Sequence, residues 1–379
     1  MQLQKLGNIK EKTKTLKALG VHGGGIDIIS KKMELMLFCI KDLRTPAVNI
    51  LKQDALSIGA ELAVPSGVIL CQKEHYDCIL MGTRKHIEIL SRKELSQSFG
   101  LKDVAKELSR FLDIKPKDTK IMGIINANDD SFFEGSRFTS YHALREIENM
   151  IDNGADIIDI GAVSSRPNAE EVSCDEELRR IKDICDTIYK QELYTKTIFS
   201  IDSYIPSVVE YALKSGFGII NDITGGENDE VIKLAIKYSA KLVIMHKQGT
   251  PQTMQDNPRY DDIISEINHF FEIRIKKCEE LGLSREDIIL DVGIGFGKTL
   301  EHNITLIKNL SNFEKFDCEV LIGASRKSMI DALSPSSVAN RLSGTLAIHL
   351  RALENGANII RCHDVYEHKQ AIDVYEALR

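Results

Sequence analysis

Between residues 121 and 364 the chain repeats one pattern about eight times: an apolar run stops at a cluster of polar residues, and a stretch of helical character follows. The stops include Asn126, Ser165-Arg166, Asp202, Asn221-Asp222, His246, Asp291, Ser325-Arg326-Lys327 and Arg361-Cys362-His363-Asp364. Runs with almost no alternation, such as Ile288-Ile289-Leu290, suit parallel strands covered on both faces. Strands are expected at 121–126, 156–162, 197–202, 219–223, 241–246, 288–292, 319–323 and 358–362. Helices are expected at about 140–153, 176–191, 206–215, 229–239, 262–282, 303–310, 338–355 and 365–378. Gly154, Gly216, Gly282 and Gly356 stand where helices would close. The expected fold is α/β, a (β/α)8 TIM barrel over 119–379, and parallel strands put every polar stop at one end of it. An open doubly wound sheet would announce itself by a glycine-rich first turn, which is absent from this sequence.

Residues 1–115 read differently, as a smaller α+β extension joined through a polar connector at 113–119. A strand at 35–40 leads to a helix running to Ile58, with Thr45 as N-cap, Pro46 at N1 and Gly59 at C′. Strands at 61–64, 68–71 and 78–81 and helices at 83–90 and 101–112 complete the expected pattern. A formal charge of −7 and a pI near 5.9 argue against a general nucleic-acid binder. The 8 cysteines form no Cys-x-x-Cys pair, which suits a reduced, cytoplasmic chain without a disulfide or zinc framework. No apolar window is long enough to span a bilayer, so no membrane partner is expected.

The polar stops carry the chemistry. The run from Asp291 to Thr299 looks like a phosphate loop, but that pattern needs Gly at 292 and finds Val, while the dinucleotide pattern needs Gly at 298 and finds Lys. The remaining readings are a flexible turn, or a strand-end Asp aimed into the site beside glycines that let backbone approach a flat ligand, with Phe296 as an aromatic wall. A strand-end Asp often serves only as a helix N-cap. Asp202, Asn221 and Asp291 together suit the donor and acceptor edge of an aminopyrimidinone heterocycle. Arg166, Arg326, Lys327, Arg361 and His363 with Ser165 would give the mouth a cationic half; single basic strand ends are usually salt-bridged, but converging ones bind phosphate and carboxylate oxygens. Asn126 and Asp130 are oxygen ligands of the kind Mg²⁺ takes. No Gly-x-Ser-x-Gly or comparable nucleophile motif occurs, and His246 reads as a structural hydrogen-bonding residue.

Taken in order, Ile121–Asn126 with Asp130 and Phe132, Gly154–Gly161, Ser164–Pro167, Ser200–Asp202, Ile220–Asp222, Met245-His246 with Gly249–Pro251, Asp291–Lys298, Ser325–Lys327 and Arg361–Asp364 resemble dihydropteroate synthase over about residues 120–379. The resemblance implies condensation of 6-hydroxymethyl-7,8-dihydropterin pyrophosphate with para-aminobenzoate, giving 7,8-dihydropteroate and pyrophosphate for folate synthesis. It implies that Asp202, Asn221, Met245, Asp291, Phe296 and Lys327 bind the pterin. Asn126, Ser165, Arg361 and His363 would take the pyrophosphate, with Mg²⁺ on Asn126. Phe132, Ser165, Arg166, Pro167, Ser325 and Lys327 would shape the aminobenzoate pocket. The catalytic set would be Asp202, Asp291, Lys327, Arg361 and His363, acting by a dissociative substitution. Family members are commonly homodimers, and residues 338–353 offer a candidate face or an ordinary core-facing stripe.

The sequence departs from the family pattern without removing a ligand group: Asn128-Asp129 replace Thr-Pro, Ala162-Val163 replace Gly-Glu, Ser165 and Ser203 replace Thr, and Val292 replaces Pro. Two other readings compete. A pterin-binding methyltransferase acting on methyltetrahydrofolate and a corrinoid protein would share the Asp and Asn site, but has no pyrophosphate to release. A non-catalytic pterin-binding protein would have no need of Asn126, Lys327, Arg361 and His363 together.

Overall fold

The computed structural model describes residue 3 and residues 12–127, 136–162, 172–249, 254 and 257–378, with backbone alone at 136–141. The chain forms two compact units, Met1–Ile114 and Lys115–Arg379. The first unit carries α1 (Lys12–Ala18), α2 (Gly23–Lys32), β1 (Leu35–Arg44), α3 (Thr45–Ser57), β2 (Glu61–Ala63), β3 (His75–Thr83), α4 (Arg84–Lys93) and α5 (Leu101–Arg110). Its antiparallel sheet runs in the order β1-β3-β2. Leu51, Leu62, Leu80, Ile87, Leu90 and Leu101 are fully buried in its own core.

Three local expectations fail here. Residues 68–71 are a turn rather than a strand, closed by Val68 N–H on Pro65 O and Cys71 N–H on Val68 O, with Cys71 at φ 51. Thr45 is the first residue of α3 and not its N-cap; its hydroxyl donates to Lys73 O at 2.5 Å, tying the helix start to the loop before β3. The helices α1 and α2 were not expected, the second because it opens on Gly23-Gly24-Gly25, the poorest helix formers after proline.

The second unit is a closed barrel of eight parallel strands among the described residues: β4 (Lys120–Asn126), β5 (Ile157–Gly161), β6 (Ile198–Asp202), β7 (Ile219–Asp222), β8 (Lys241–Met245), β9 (Ile288–Asp291), β10 (Glu319–Ile322) and β11 (Ile359–Cys362). The expected TIM barrel is therefore present, each strand within about a residue of its sequence reading. The outer helices are α6 (Ser136–Asp152), α7 (Cys174–Lys190), α8 (Pro206–Lys214), α9 (Asp229–Tyr238), α10 (Ile263–Leu281), α11 (Leu300–Lys308), the short α12 (Ser328–Leu333), α13 (Leu342–Glu354) and α14 (Val365–Leu378). Three differ from expectation at their starts: α6 begins at Ser136, about four residues early, and α11 and α13 also depart. α11 begins three residues early because Thr299 caps it, accepting from His302 N–H, and α13 begins late because Val338–Asn340 forms a 3-10 turn. Gly282, at φ 104, closes α10 in the left-handed conformation its place in the sequence implies.

Strand alternation builds the barrel interior in layers. At the floor Glu319 takes Lys120 at 2.6 Å and Lys241 at 2.5 Å. Above it Met122, Ile157, Ile219, Val243, Ile289, Leu321 and Ile359 form a separate apolar cluster, one residue from each of seven strands. The next inward position on each strand is two residues further on, and on four of the seven the side chain there is polar, Asp159, Asn221, Asp291 and Arg361, beside Ile124, Gly323 and Met245 on the others. The apolar plug excludes water from beneath these groups, so they meet charge in a low-dielectric setting.

Outside the barrel, Phe271 on α10 is fully buried, with ring centroids 5.5 Å from Phe313 and 6.1 Å from Phe316. Phe271→Ala should cost about 3–5 kcal/mol and lower the barrel's melting temperature in circular dichroism; an unchanged melting curve would show that this aromatic cluster is not part of the cooperative core.

Candidate active site

The polar layer is knitted together from four strands. Asp159 is fully buried, and its Oδ2 accepts from Arg361 Nε at 2.7 Å and from Asn221 Nδ2 at 2.9 Å. Arg361 also donates through Nη2 to Asp202 Oδ2 at 3.0 Å. One guanidinium on β11 thus holds carboxylates from β5 and β6, and the β5 carboxylate holds the amide on β7. Burial pushes the Asp202 carboxyl up, its neighbour Asp159 pushes further, and Arg361 only partly restrains it, leaving it at about 7. Burial works against the Arg361 charge, but Asp159 and Asp202 outweigh it and its pKa is raised.

Asp291 ends β9, and its Oδ1 accepts from Gly293 N–H at 2.7 Å. Its pKa is raised by burial, against that hydrogen bond and the charge of Lys327. Met245, buried at the end of β8, pairs in register with Asp291. Lys327 lies with Nζ 4.5 Å from the centre of the Phe296 ring and donates to Ile294 O. Burial lowers its pKa to about 8, with Asp291 opposing and Arg361 assisting. Ser325 Oγ and His363 Nδ1 are 2.8 Å apart, and the same hydroxyl accepts from His363 N–H at 3.3 Å. Asn126, half-buried, closes β4 beside Gly161 of β5.

The anticipated Asp202, Asn221, Asp291, Met245, Phe296, Lys327, Ser325, Arg361, His363 and Asn126 therefore all sit on strand ends, or on the loops that follow them, at one end of the barrel. Phe132, Ser165, Arg166 and Pro167, with Asp130, lie outside the described residues. Not every cation faces outward as a binding group. Arg326 is ion-paired with Asp364, Nε to Oδ2 at 3.1 Å, and Arg361 is shared between two carboxylates. Asp222 likewise serves its own loop: Oδ1 accepts from Thr224 N–H at 2.7 Å and Oδ2 from Gly226 N–H at 3.0 Å.

Two residues of the site were missed. Asp159 stands alone in Ile157-Ile158-Asp159-Ile160, and its place on the inward side of that strand was the available signal. Lys298, at the end of the glycine run, is 3% exposed, with Nζ 3.0 Å from His246 Nδ1, 3.2 Å from His246 O and 3.0 Å from Phe296 O. Burial lowers Lys298 to about 7 despite Asp291, and lowers His246 to about 3, which keeps the imidazole neutral and able to accept. The glycines of this run also act differently from the reading above. A Cβ on Gly293 would lie 2.0 Å from His246 O, and one on Gly297 2.4 Å from Gln248 O. The close approach is to the backbone after β8, so the run fastens two loops together.

A strand-end ring of this kind, closed over an apolar plug, defines a barrel enzyme whose pocket takes a flat, polar heterocycle. A family model described as "Pterin binding enzyme" matches residues 122–363. A bifunctional dihydropteroate synthase/dihydropteroate reductase of Helicobacter pylori is 41% identical over 364 residues, covering 96% of this chain and 95% of that protein. Dihydropteroate synthase of Escherichia coli K12 is 41% identical over 258 residues, covering 68% of this chain and 90% of that one. Among solved structures, Yersinia pestis dihydropteroate synthase in a sulfonamide drug complex matches with TM-score 0.65 and 36% identity, covering 69% of this chain and 94% of that one. The Clostridium difficile enzyme, determined in the presence of pteroic acid, matches with TM-score 0.64 and 38% identity, covering 70% and 98%. The chain belongs to the pterin-binding enzymes and, within them, to the dihydropteroate synthases. It is a transferase of the folate pathway, and the methyltransferase alternative is not favoured.

The two shifted groups predict the pH dependence of kcat/KM for the pterin substrate, which reports the free enzyme. Activity should rise with pH as Asp202 ionises near about 7 and fall as Lys327 loses its proton near about 8. The outcome that refutes this pairing is an acid limb that survives in Asp202→Asn with its midpoint unchanged.

Proposed function

We propose that three zones of this pocket divide the synthesis of 7,8-dihydropteroate between them. The observation that carries the reading is the Arg361–Asp159–Asn221 and Arg361–Asp202 network at the mouth-side end of the barrel, with Asp291 and Lys327 beside it. Asp202, Asn221 and Asp291 hold the pterin by its ring N–H, amino and carbonyl groups, with Met245 and Phe296 against its faces. Asn221, whose amide nitrogen already donates to Asp159, offers its carbonyl oxygen as an acceptor. Arg361, His363 and Ser165 receive the pyrophosphate, while Ser325, Lys327, Phe132, Arg166 and Pro167 surround para-aminobenzoate.

The chemistry asks little of a protein nucleophile. The bond between the pterin methylene and the pyrophosphate oxygen breaks, the electron pair leaves with pyrophosphate, and the methylene cation is delocalised into the ring. The negative Asp202 and Asp291 oppose that cation, and Arg361 and His363 meet the departing charge. The arylamine nitrogen, unprotonated at neutral pH, bonds to the methylene carbon and loses a proton, so positioning matters more than a general base. Asn126, with its hard amide oxygen at the end of β4, fits a Mg²⁺ that takes most of its ligands from phosphate and water. When bound there, the ion would neutralise pyrophosphate charge. A cytoplasmic homodimer completes the reading; the eight free cysteines suit a reducing compartment.

An assay with the dihydropterin pyrophosphate, para-aminobenzoate and Mg²⁺ should release pyrophosphate. Asp202→Ala and Lys327→Ala should abolish turnover, and sulfonamides should compete with para-aminobenzoate. Near-normal rates in either variant, or inhibition indifferent to para-aminobenzoate, would show the zones to be wrongly assigned.

A second activity is supported by the near-complete overlap with the bifunctional Helicobacter pylori protein, which covers 96% of this chain and so takes in most of residues 1–114. The chain would then also reduce dihydropteroate to tetrahydropteroate, a hydride from a nicotinamide or flavin donor going to the ring imine carbon and a proton to its nitrogen. The full-length protein should form tetrahydropteroate when supplied with such donors, and deletion of residues 1–114 should end this while sparing pyrophosphate release. Reduction that persists in the deleted protein would move the activity out of the first unit.

A further inference from the structure

The turn that carries Ser325 and Lys327 is not self-supporting. Arg326 has φ 56, a left-handed conformation that costs a branched-free but bulky L residue about 1–2 kcal/mol. Its backbone is instead held from α13. Arg341, Thr345 and His349 lie four residues apart and so share one face of that helix. Arg341 Nη1 donates to Arg326 O at 3.2 Å, Thr345 Oγ1 accepts from Arg326 N–H at 3.0 Å, and His349 Nε2 accepts from Ala324 N–H at 3.1 Å. Thr345 and His349 are buried, at 0% and 1% exposure, so no water competes for these bonds.

The hold continues to the neighbouring strand. His349 Nε2 accepts, so its proton is on Nδ1, 2.8 Å from His368 Nε2 on α14. His368 then carries its own proton on Nδ1, 2.6 Å from Asp364 O. Asp364 in turn pairs with the Arg326 guanidinium. A closed circuit thus joins the turn after β10 to the turn after β11, through two neutral imidazoles and one helix face. Both turns bear site groups, Ser325 and Lys327 on one and His363 on the other.

We propose that Thr345 and His349 are positioning residues of the reaction, clamping the Ala324–Lys327 turn so that Lys327, Ser325 and His363 face the substrates together. The clamp touches no substrate and acts only through backbone. It rests on the synthase reading above, which the wild-type assay tests by itself: pyrophosphate release by the unaltered protein decides that reading, and the variants decide the clamp.

Thr345→Val keeps the shape and removes the hydroxyl that accepts from Arg326, whereas Thr345→Ser keeps the hydroxyl. Assayed well below both melting temperatures, Thr345→Val should lose tenfold or more in kcat/KM for para-aminobenzoate, and Thr345→Ser should stay within about threefold of wild type. His349→Leu should show the same loss, and the double variant should lose less than the product of the two single losses, because both act on one turn. If Thr345→Val does not fold, His349→Leu against His349→Gln, which can restore an acceptor for Ala324 N–H, gives the same comparison. Wild-type kinetics in Thr345→Val or His349→Leu, or equal losses in Thr345→Val and Thr345→Ser, would overturn the proposal.

Discussion

The site depends on one arrangement: a single guanidinium, on the last strand of the barrel, set between the buried Asp159 and the half-buried Asp202. Arg361 bonds Asp159 at 2.7 Å and Asp202 at 3.0 Å above an apolar plug that keeps water away. Two carboxylates that close would repel in such a setting, and one would take up a proton. The shared cation lets both stay close together at the mouth end of the barrel, and burial leaves Asp202 at about 7. Asn221 is aimed by the same Asp159, so two of the positions proposed for the pterin, Asp202 and Asn221, take their geometry from one charge cluster. A buried pair of this kind contributes little net stability; its value is in fixing where the polar atoms stand.

The loops add a second tier. The glycine run after Asp291 is threaded against the backbone after β8, and Lys298 fastens the two with a neutral His246. The turn with Ser325 and Lys327 is fastened from α13 and α14. The groups at the mouth are therefore held from behind, by side chains packed beneath the loops that carry them. This is the economy that rigid pre-organisation requires, since rate is lost when supporting contacts let a catalytic group drift.

Most of the barrel was legible in the sequence because its strands are short, continuously apolar and stopped by polar residues, and because glycines mark the helix ends. Asp202, Asn221 and Asp291 could be singled out because each stands at such a stop. Asp159 could not, because it lies inside a strand rather than after one, and only the inward side of the barrel gives it meaning. Lys298 read as part of a failed phosphate motif, since its partners His246 and Phe296 are brought to it by folding. In the first unit, residues 68–71 had the apolar character of a strand but belong to a turn whose backbone bonds close locally. Thr45 looked like a cap by residue type, yet a distant carbonyl claims its hydroxyl. For Thr45 and Lys298 local residue preference was outweighed by a partner far away in the chain, whereas 68–71 were claimed by a local turn.

The position of Arg361 on β11 also has a consequence for how the molecule comes into being. While the strands are synthesised in order, Asp159 and Asp202 emerge long before their shared cation. A nascent barrel containing β4 to β10 has Asp159 and Asp202 but not the Arg361 counter-charge that holds them together, and no strand to join β10 to β4. The binding pocket and the closure of the cylinder are thus the same event. A ligand that needs the Arg361-held geometry would favour the finished fold over a partial one, so a pterin-like compound should report complete assembly as well as activity.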